Sequence, residues 1–238
     1  MKHLLALIVG LAFGVAVFAL GVIYNPFVNR AVLSPLAVSD TQTLAFSFSA
    51  LASEAVIYTN NGESRIAPHP EKTPQLWEAS IRQSEAMATV LRDGRNEVAG
   101  FGIKFSSASE ETKPLKGQAL VNSVWHVYLP GRGSLFIEQN ENYWNYIRSV
   151  MLPAYRSSVD TWQGSWLGNI TSGPEALGTG RAVGGSGDFA DLDMLAVESL
   201  SVRAWRVSSG PVAAEGQLTI ELPADAEFQD DVVTASEL

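Results

Sequence analysis

The sequence predicts a mainly β chain: an antiparallel β-barrel of about eight strands, with one long covering helix and an N-terminal transmembrane helix in front. Three observations predict it. Short runs with period-two alternation recur, such as Leu44, Phe46 and Phe48 set against Ala45, Ser47 and Ser49. Turn signals of hairpin length separate several of them, as in Pro130-Gly131-Arg132-Gly133. Long strand–helix–strand alternation is missing, which removes a doubly wound parallel sheet. Glycines inside strand runs, Gly100 and Gly102 for example, favour a barrel because small barrels turn corners at such positions.

Composition narrows the function classes. The 238 residues suffice for one β domain with a single core. The net charge is −9 and no Lys/Arg stripe is present, so the chain is not built for nucleic acid. There are no cysteines, which excludes disulfides, thiolate catalysis and cysteine-based zinc or iron–sulfur sites.

The chain divides into an anchor (1–24), a stalk (25–42), the barrel domain (43–223) and an acidic tail (224–238). Leu4 to Tyr24 is apolar and uncharged, long enough to cross a bilayer as a helix. A cleaved signal peptide is the competing reading, with small residues at Ala19 and Gly21. The run continues past both without a polar break, which favours an uncleaved span. Lys2 and the amino terminus precede it and only Arg30 follows closely. The charge bias therefore places the N-terminus in the cytoplasm, at the inner membrane, and the domain in the periplasm or outside.

Residues 25–42 carry two prolines and read as an extended stalk. Thr43 to Tyr58 opens as a strand, and Asn60-Asn61-Gly62 signals a bend. Thr73 to Leu91 reads as the covering helix. Thr73 caps it, Pro74 takes the first position, and Leu76, Trp77, Ile81, Met87, Val90 and Leu91 share a broad face. Glu97 to Ser107, Ala119 to Leu129 and Ser134 to Gln139 read as strands. Asn140 to Tyr155 reads as a short helix ended by Pro153. Trp162 to Thr171, Leu195 to Val207 and Ala214 to Leu222 are strands, with a glycine-dense corner from Gly178 to Asp188 between the first two. The tail carries five acidic residues and no basic one, and reads as solvated.

That corner, GTGRAVGGSGDF, resembles the calycin-like barrels, most closely the dirigent and allene oxide cyclase type. In that type a GGTGxF-like turn joins the last barrel strands. Gly184, Gly185, Ser186, Gly187 and Phe189 fit it, with Ser in the Thr position. The resemblance covers roughly the last third of the chain. It implies a small closed barrel and cyclase or isomerase chemistry in its lumen. No acidic catalytic residue of that type finds a match here. The same glycines also resemble a GGxGxD calcium unit involving Asp188, Asp191 and Asp193. The unit occurs once and its Asp falls one position early. A phosphate loop is rejected because no Lys follows.

Few residues carry obvious chemistry. His126 alone among the histidines lies inside a strand, and shares a face with Val124 and Tyr128. Facing a lumen, His126 and Tyr128 are acid–base candidates, with Glu138 on the returning strand as partner. Facing out, they are ordinary surface residues. Tyr143, Trp144 and Tyr146 are the ligand-binding candidates, as an aromatic mouth, with core packing as the alternative. No metal site and no cofactor site is expected. Three functions compete: a binding or accessory module for an apolar small molecule or a membrane complex, a cyclase or isomerase of the allene oxide cyclase type, and a structural subunit of a membrane complex.

Overall fold

In the computed structural model the described residues are 2–23, 42–51, 56–58 and 84–223. Helix α1 (Lys2–Ile23) contains 22 residues and is about 33 Å long. It is long and apolar enough to cross a membrane, a property that a signal sequence shares. The stalk and the acidic tail fall almost wholly outside the described residues.

Among the described residues eleven strands follow. They are β1 (Thr43–Ser49), β2 (Val56–Tyr58), β3 (Ser84–Arg92), β4 (Val98–Ala108), β5 (Leu120–Leu129) and β6 (Gly133–Asn142), then β7 (Thr161–Asn169), β8 (Thr171–Gly173), β9 (Gly180–Gly187), β10 (Asp193–Arg206) and β11 (Gly210–Glu221). All pairings are antiparallel. The order β1-β11-β10-β9-β6-β5-β4-β3 is completed by a pairing of β1 with β3 at Ser47 and Arg92, so eight strands hydrogen-bond in a ring. Strands β7 and β8 flank the lower halves of β10 and β6, below β9. Between β6 and β7 runs a helical segment: α2 (Trp144–Tyr146), a π-turn at Ile147–Met151 and α3 (Leu152–Arg156).

Three expectations need correction. The long covering helix does not reach Leu91, because Ser84–Arg92 is a strand between β2 and β4. Met87 and Leu91 satisfy both a helical and a period-two pattern. The two neighbouring ladders decide in favour of the strand, with Thr89 and Leu91 buried and Val90 exposed. Trp77 and Ile81 lie outside the described residues. Pro153 stands inside the helical segment rather than at its end. It occupies the first turn of α3, where a missing N–H is tolerated. The glycine corner is itself strand β9, paired to β6 through Leu135–Gly184 and Ile137–Ala182.

Gly184 and Gly187 explain why β9 is glycine-rich. A Cβ on Gly184 would stand 1.3 Å from the Phe189 carbonyl oxygen. The loop after β9 therefore folds back against Gly184, whose N–H donates to Leu192 O at 2.9 Å, and sets Phe189 fully inside the ring. Gly187 has φ +66° and lies against the Arg132 carbonyl.

The interior is layered. At the end where β3 and β5 finish, Phe46, Leu91, Val127, Leu135, Ile137, Phe189 and Ile220 form one apolar core. At the opposite end Tyr146, Val150, Ala154, Ile170, Leu200, Val202 and Trp205 form a second, beneath the helical segment. Between them lies a polar layer.

Candidate functional site

Alternation builds the polar layer. On β4 the inward set is Gly100, Gly102 and Lys104, while Phe101 and Phe105 point outward. A Cβ on Gly102 would meet the Trp125 ring at 2.9 Å, so the glycine makes room for that indole. On β5 Ser123 and Trp125 point in, and on β6 Gln139 and Glu141. Register sets Lys104 opposite Trp125, Ser123 opposite Gln139, and Glu141 opposite Thr171 on β8. Strand β10 contributes Glu198.

These side chains bond to one another. The Lys104 ammonium donates to Glu198 Oε1 at 2.7 Å and Oε2 at 2.9 Å, and lies 2.7 Å from Glu141 Oε1. Trp125 Nε1–H donates to Glu198 Oε2 at 2.9 Å. The Gln139 amide donates to Glu141 Oε1 at 2.8 Å and also to Glu198. Ser123 donates to Glu141. The Thr171 hydroxyl donates to Gln139 Oε1 at 3.0 Å and accepts from the Glu198 backbone N–H at 2.7 Å. Tyr143 donates its phenol proton to Glu141 Oε2 at 2.7 Å.

Two carboxylates thus share one ammonium in a site that excludes water. Burial holds the Glu198 carboxyl above the usual carboxylate range. Lys104 opposes that shift and Glu141 adds to it. Burial works against the Lys104 charge, yet Glu141 and Glu198 together outweigh it and raise its pKa. Burial, then the charges of Glu141 and Glu198, push the Tyr143 phenol far up, so it remains a proton donor at neutral pH. Burial alone raises Tyr146. A carboxyl group whose proton affinity burial raises, a buried ammonium and a phenol that keeps its proton at neutral pH thus stand in one hydrogen-bonded group, the kind of set that can move protons.

Toward its start, β3 is only half-buried on both faces. Going down β3, the inward residues pass from buried Leu91 and Thr89 to half-buried Met87 and Glu85. Ser106 on β4 is half-buried too. Among the described residues, cavities lie elsewhere: one of about 410 Å³ lined by Phe46, Ala99, Leu129 and Arg132, one of about 360 Å³ by Arg181, Asp193, Leu195 and Leu222, and one of about 250 Å³ by Ser47, Leu167, Ser199 and Glu215. None of these is lined by a member of the charged group.

The residues singled out from sequence separate into two sets. His126, Tyr128 and Glu138 stand on the outward face of β5 and β6, the face opposite Trp125 and Gln139. His126 stacks on Phe136 at 4.6 Å. Tyr143 belongs to the charged group. Tyr146 packs nearby, 6.2 Å from Tyr143 and 5.3 Å from Trp166 between ring centres. Trp144 is buried on the same helical segment. Trp144 Nε1, Tyr146 OH, one Arg148 nitrogen and Asn169 Nδ2 are buried without a hydrogen-bond partner. Asp188 and Asp193 face Arg132 and Arg181 at 3.5 and 3.1 Å. Among the described residues no cluster of acidic or histidine side chains is placed to hold a metal ion.

Sequence reasoning missed Lys104, Glu141 and Glu198. A signal for Lys104 was present in the register. If Trp125 points in, its partner Lys104 points in with it.

No family model and no curated protein matches the chain. Solved structures match the chain at low similarity. One is a nonspecific heme-binding cyclase that catalyses a 4 + 2 cycloaddition during neoabyssomicin biosynthesis (7% identity, TM-score 0.38, 81% of this chain and 74% of that one). Another is the Diels–Alderase AbmU from Streptomyces koyangensis (7% identity, TM-score 0.38, 82% of this chain and 76% of that one). At that level the likeness carries no argument about fold or activity.

Proposed function

We propose that the strand ring closes as a β-barrel, tethered by α1 to the inner membrane with its domain in the periplasm or outside. Its lumen binds a small, largely apolar molecule and isomerises or cyclises it by acid–base chemistry without a cofactor. One observation carries this reading: Lys104, Glu141 and Glu198 are buried together between two apolar cores. A charge group of that kind costs several kcal/mol per ion to desolvate and is weak support for stability. Strongly perturbed groups of this sort concentrate at functional sites. Glu198 is the proton donor and Lys104 fixes the negative charge that develops. Tyr143, half-buried and held by Glu141, is the group that first meets the molecule.

The test is conversion at constant mass. The detergent-solubilised full chain is incubated with a panel of apolar polyenes and enones, and isomeric products are separated by chromatography. The wild type yields a product of unchanged mass; Glu198→Gln and Lys104→Met, checked for folding by circular dichroism, do not. Equal conversion by the variants would remove the site from the mechanism.

A second reading keeps the binding and drops the chemistry. It rests on the closure of the network, in which each oxygen of Glu141 and Glu198 already accepts a bond from the protein. The barrel is then a binding or accessory module for an apolar ligand or a membrane complex. Ligand-induced stabilisation with no product from any panel member favours it.

A further inference from the structure

The outer surface of the ring carries a large apolar face that the lumen reading does not use. Phe101, Phe105, Val124, Tyr128, Phe136 and Val183 all point outward, each 39–53% exposed. They lie on the neighbouring strands β4, β5, β6 and β9. Register makes them contiguous: Phe101 opposes Tyr128, Phe105 opposes Val124, and Phe136 opposes Val183. His126, stacked on Phe136, sits in the middle. With half-buried Ile103 the face amounts to roughly 600–700 Å². That exceeds the usual largest apolar patch of a monomer and approaches the ~800 Å² per partner of a standard interface.

We infer that this face is the contact between two copies of the chain. Its area approaches the ~800 Å² that each partner contributes to a standard interface. Its aromatic content is that of an interface centre. Lys104 is the only charged residue on the stretch of β4 between Phe101 and Phe105, and it points inward. Charges are confined to its rim: Arg92 on β3 and, opposite each other in register, Glu138 on β6 and Arg181 on β9. Copies of net charge −9 repel elsewhere, so this neutral face is where they approach. The same acidity disfavours an anionic lipid surface as occupant.

The full chain in mild detergent is measured by light scattering coupled to size exclusion. The wild type runs as a dimer at micromolar concentration, and Phe105→Glu and Phe136→Glu raise the dimer dissociation constant at least tenfold. Folding is checked by near-UV circular dichroism. Because the chain has no cysteine, a second experiment reads the contact directly. Oxidation of Val124→Cys gives a covalent dimer, and oxidation of Leu167→Cys, exposed on β7, does not. A wild-type monomer throughout the micromolar range overturns the inference. So does a dimer indifferent to both Glu variants, or equal cross-linking at the two cysteine positions.

Discussion

Lys104 is the residue on which the interior turns. Among the described residues it alone supplies a cation to the two buried carboxylates. Lys104→Met should therefore cost about 3–5 kcal/mol at neutral pH, the price of leaving buried charge unpaired. The loss should be smaller in acid. In that variant the Glu198 carboxyl loses the cation that lowers it, so its already raised pKa rises further, the native state holds a proton that the unfolded state releases, and stability falls as pH rises above the ordinary carboxylate range near 4.3. Urea unfolding at pH 5 and pH 8 checks this, and an equal loss at both would mean that the carboxylates are solvated. In the wild type the raised Glu198 pKa gives the same sign, a decline in stability between its unfolded and folded values. The raised Lys104 pKa keeps its stabilising contribution at all pH below about 10.5. That contribution is lost only as pH climbs through the higher folded value. Sequence alone hid this group for a physical reason. Lys and Glu are almost never fully buried unless paired, and their pairing here joins residues 104, 141 and 198, which are far apart in the chain. The evident apolar set of β4, Phe101 and Phe105, faces outward and masks the inward lysine.

Among the elements, β9 shows what a glycine run specifies. It was legible as a constraint on the backbone but not as a strand, because turns and close approaches require the same residue. Gly184→Ala should displace the Phe189 backbone and destabilise the domain by about 1–3 kcal/mol. Gly187→Ala should cost about 1–2 kcal/mol through its positive φ. Thermal melts measure both. Asp191→Asn should leave the midpoint unchanged in chelator and in millimolar calcium; a calcium-dependent rise abolished by that change would mark a metal site. The strands β4, β5, β6, β10 and β11 were readable to within a few residues, since each carries a run of alternate buried residues on one face. Strand β3 was not, because its nine residues fit either period and only its ladders with β2 and β4 decide.

At the scale of the molecule, two apolar cores enclose a charged layer, and an apolar helix precedes the ring. The tether has its own check. The protein should leave membranes only with detergent and retain Leu4, whereas N-terminal sequencing that begins near Leu20 or Val22 would show a cleaved signal. The central claim is that the charged layer serves a bound molecule rather than the packing. It is tested most directly by thermal shift of the wild type and of Glu198→Gln against a panel of apolar enones and carboxylic acids. The account predicts that at least one compound raises the wild-type midpoint, by about 2.7 kcal/mol of stabilisation at a hundredfold excess over its dissociation constant. The same compound should lose most of that effect on a folded Glu198→Gln. Identical shifts in both proteins, or none in either, would contradict it.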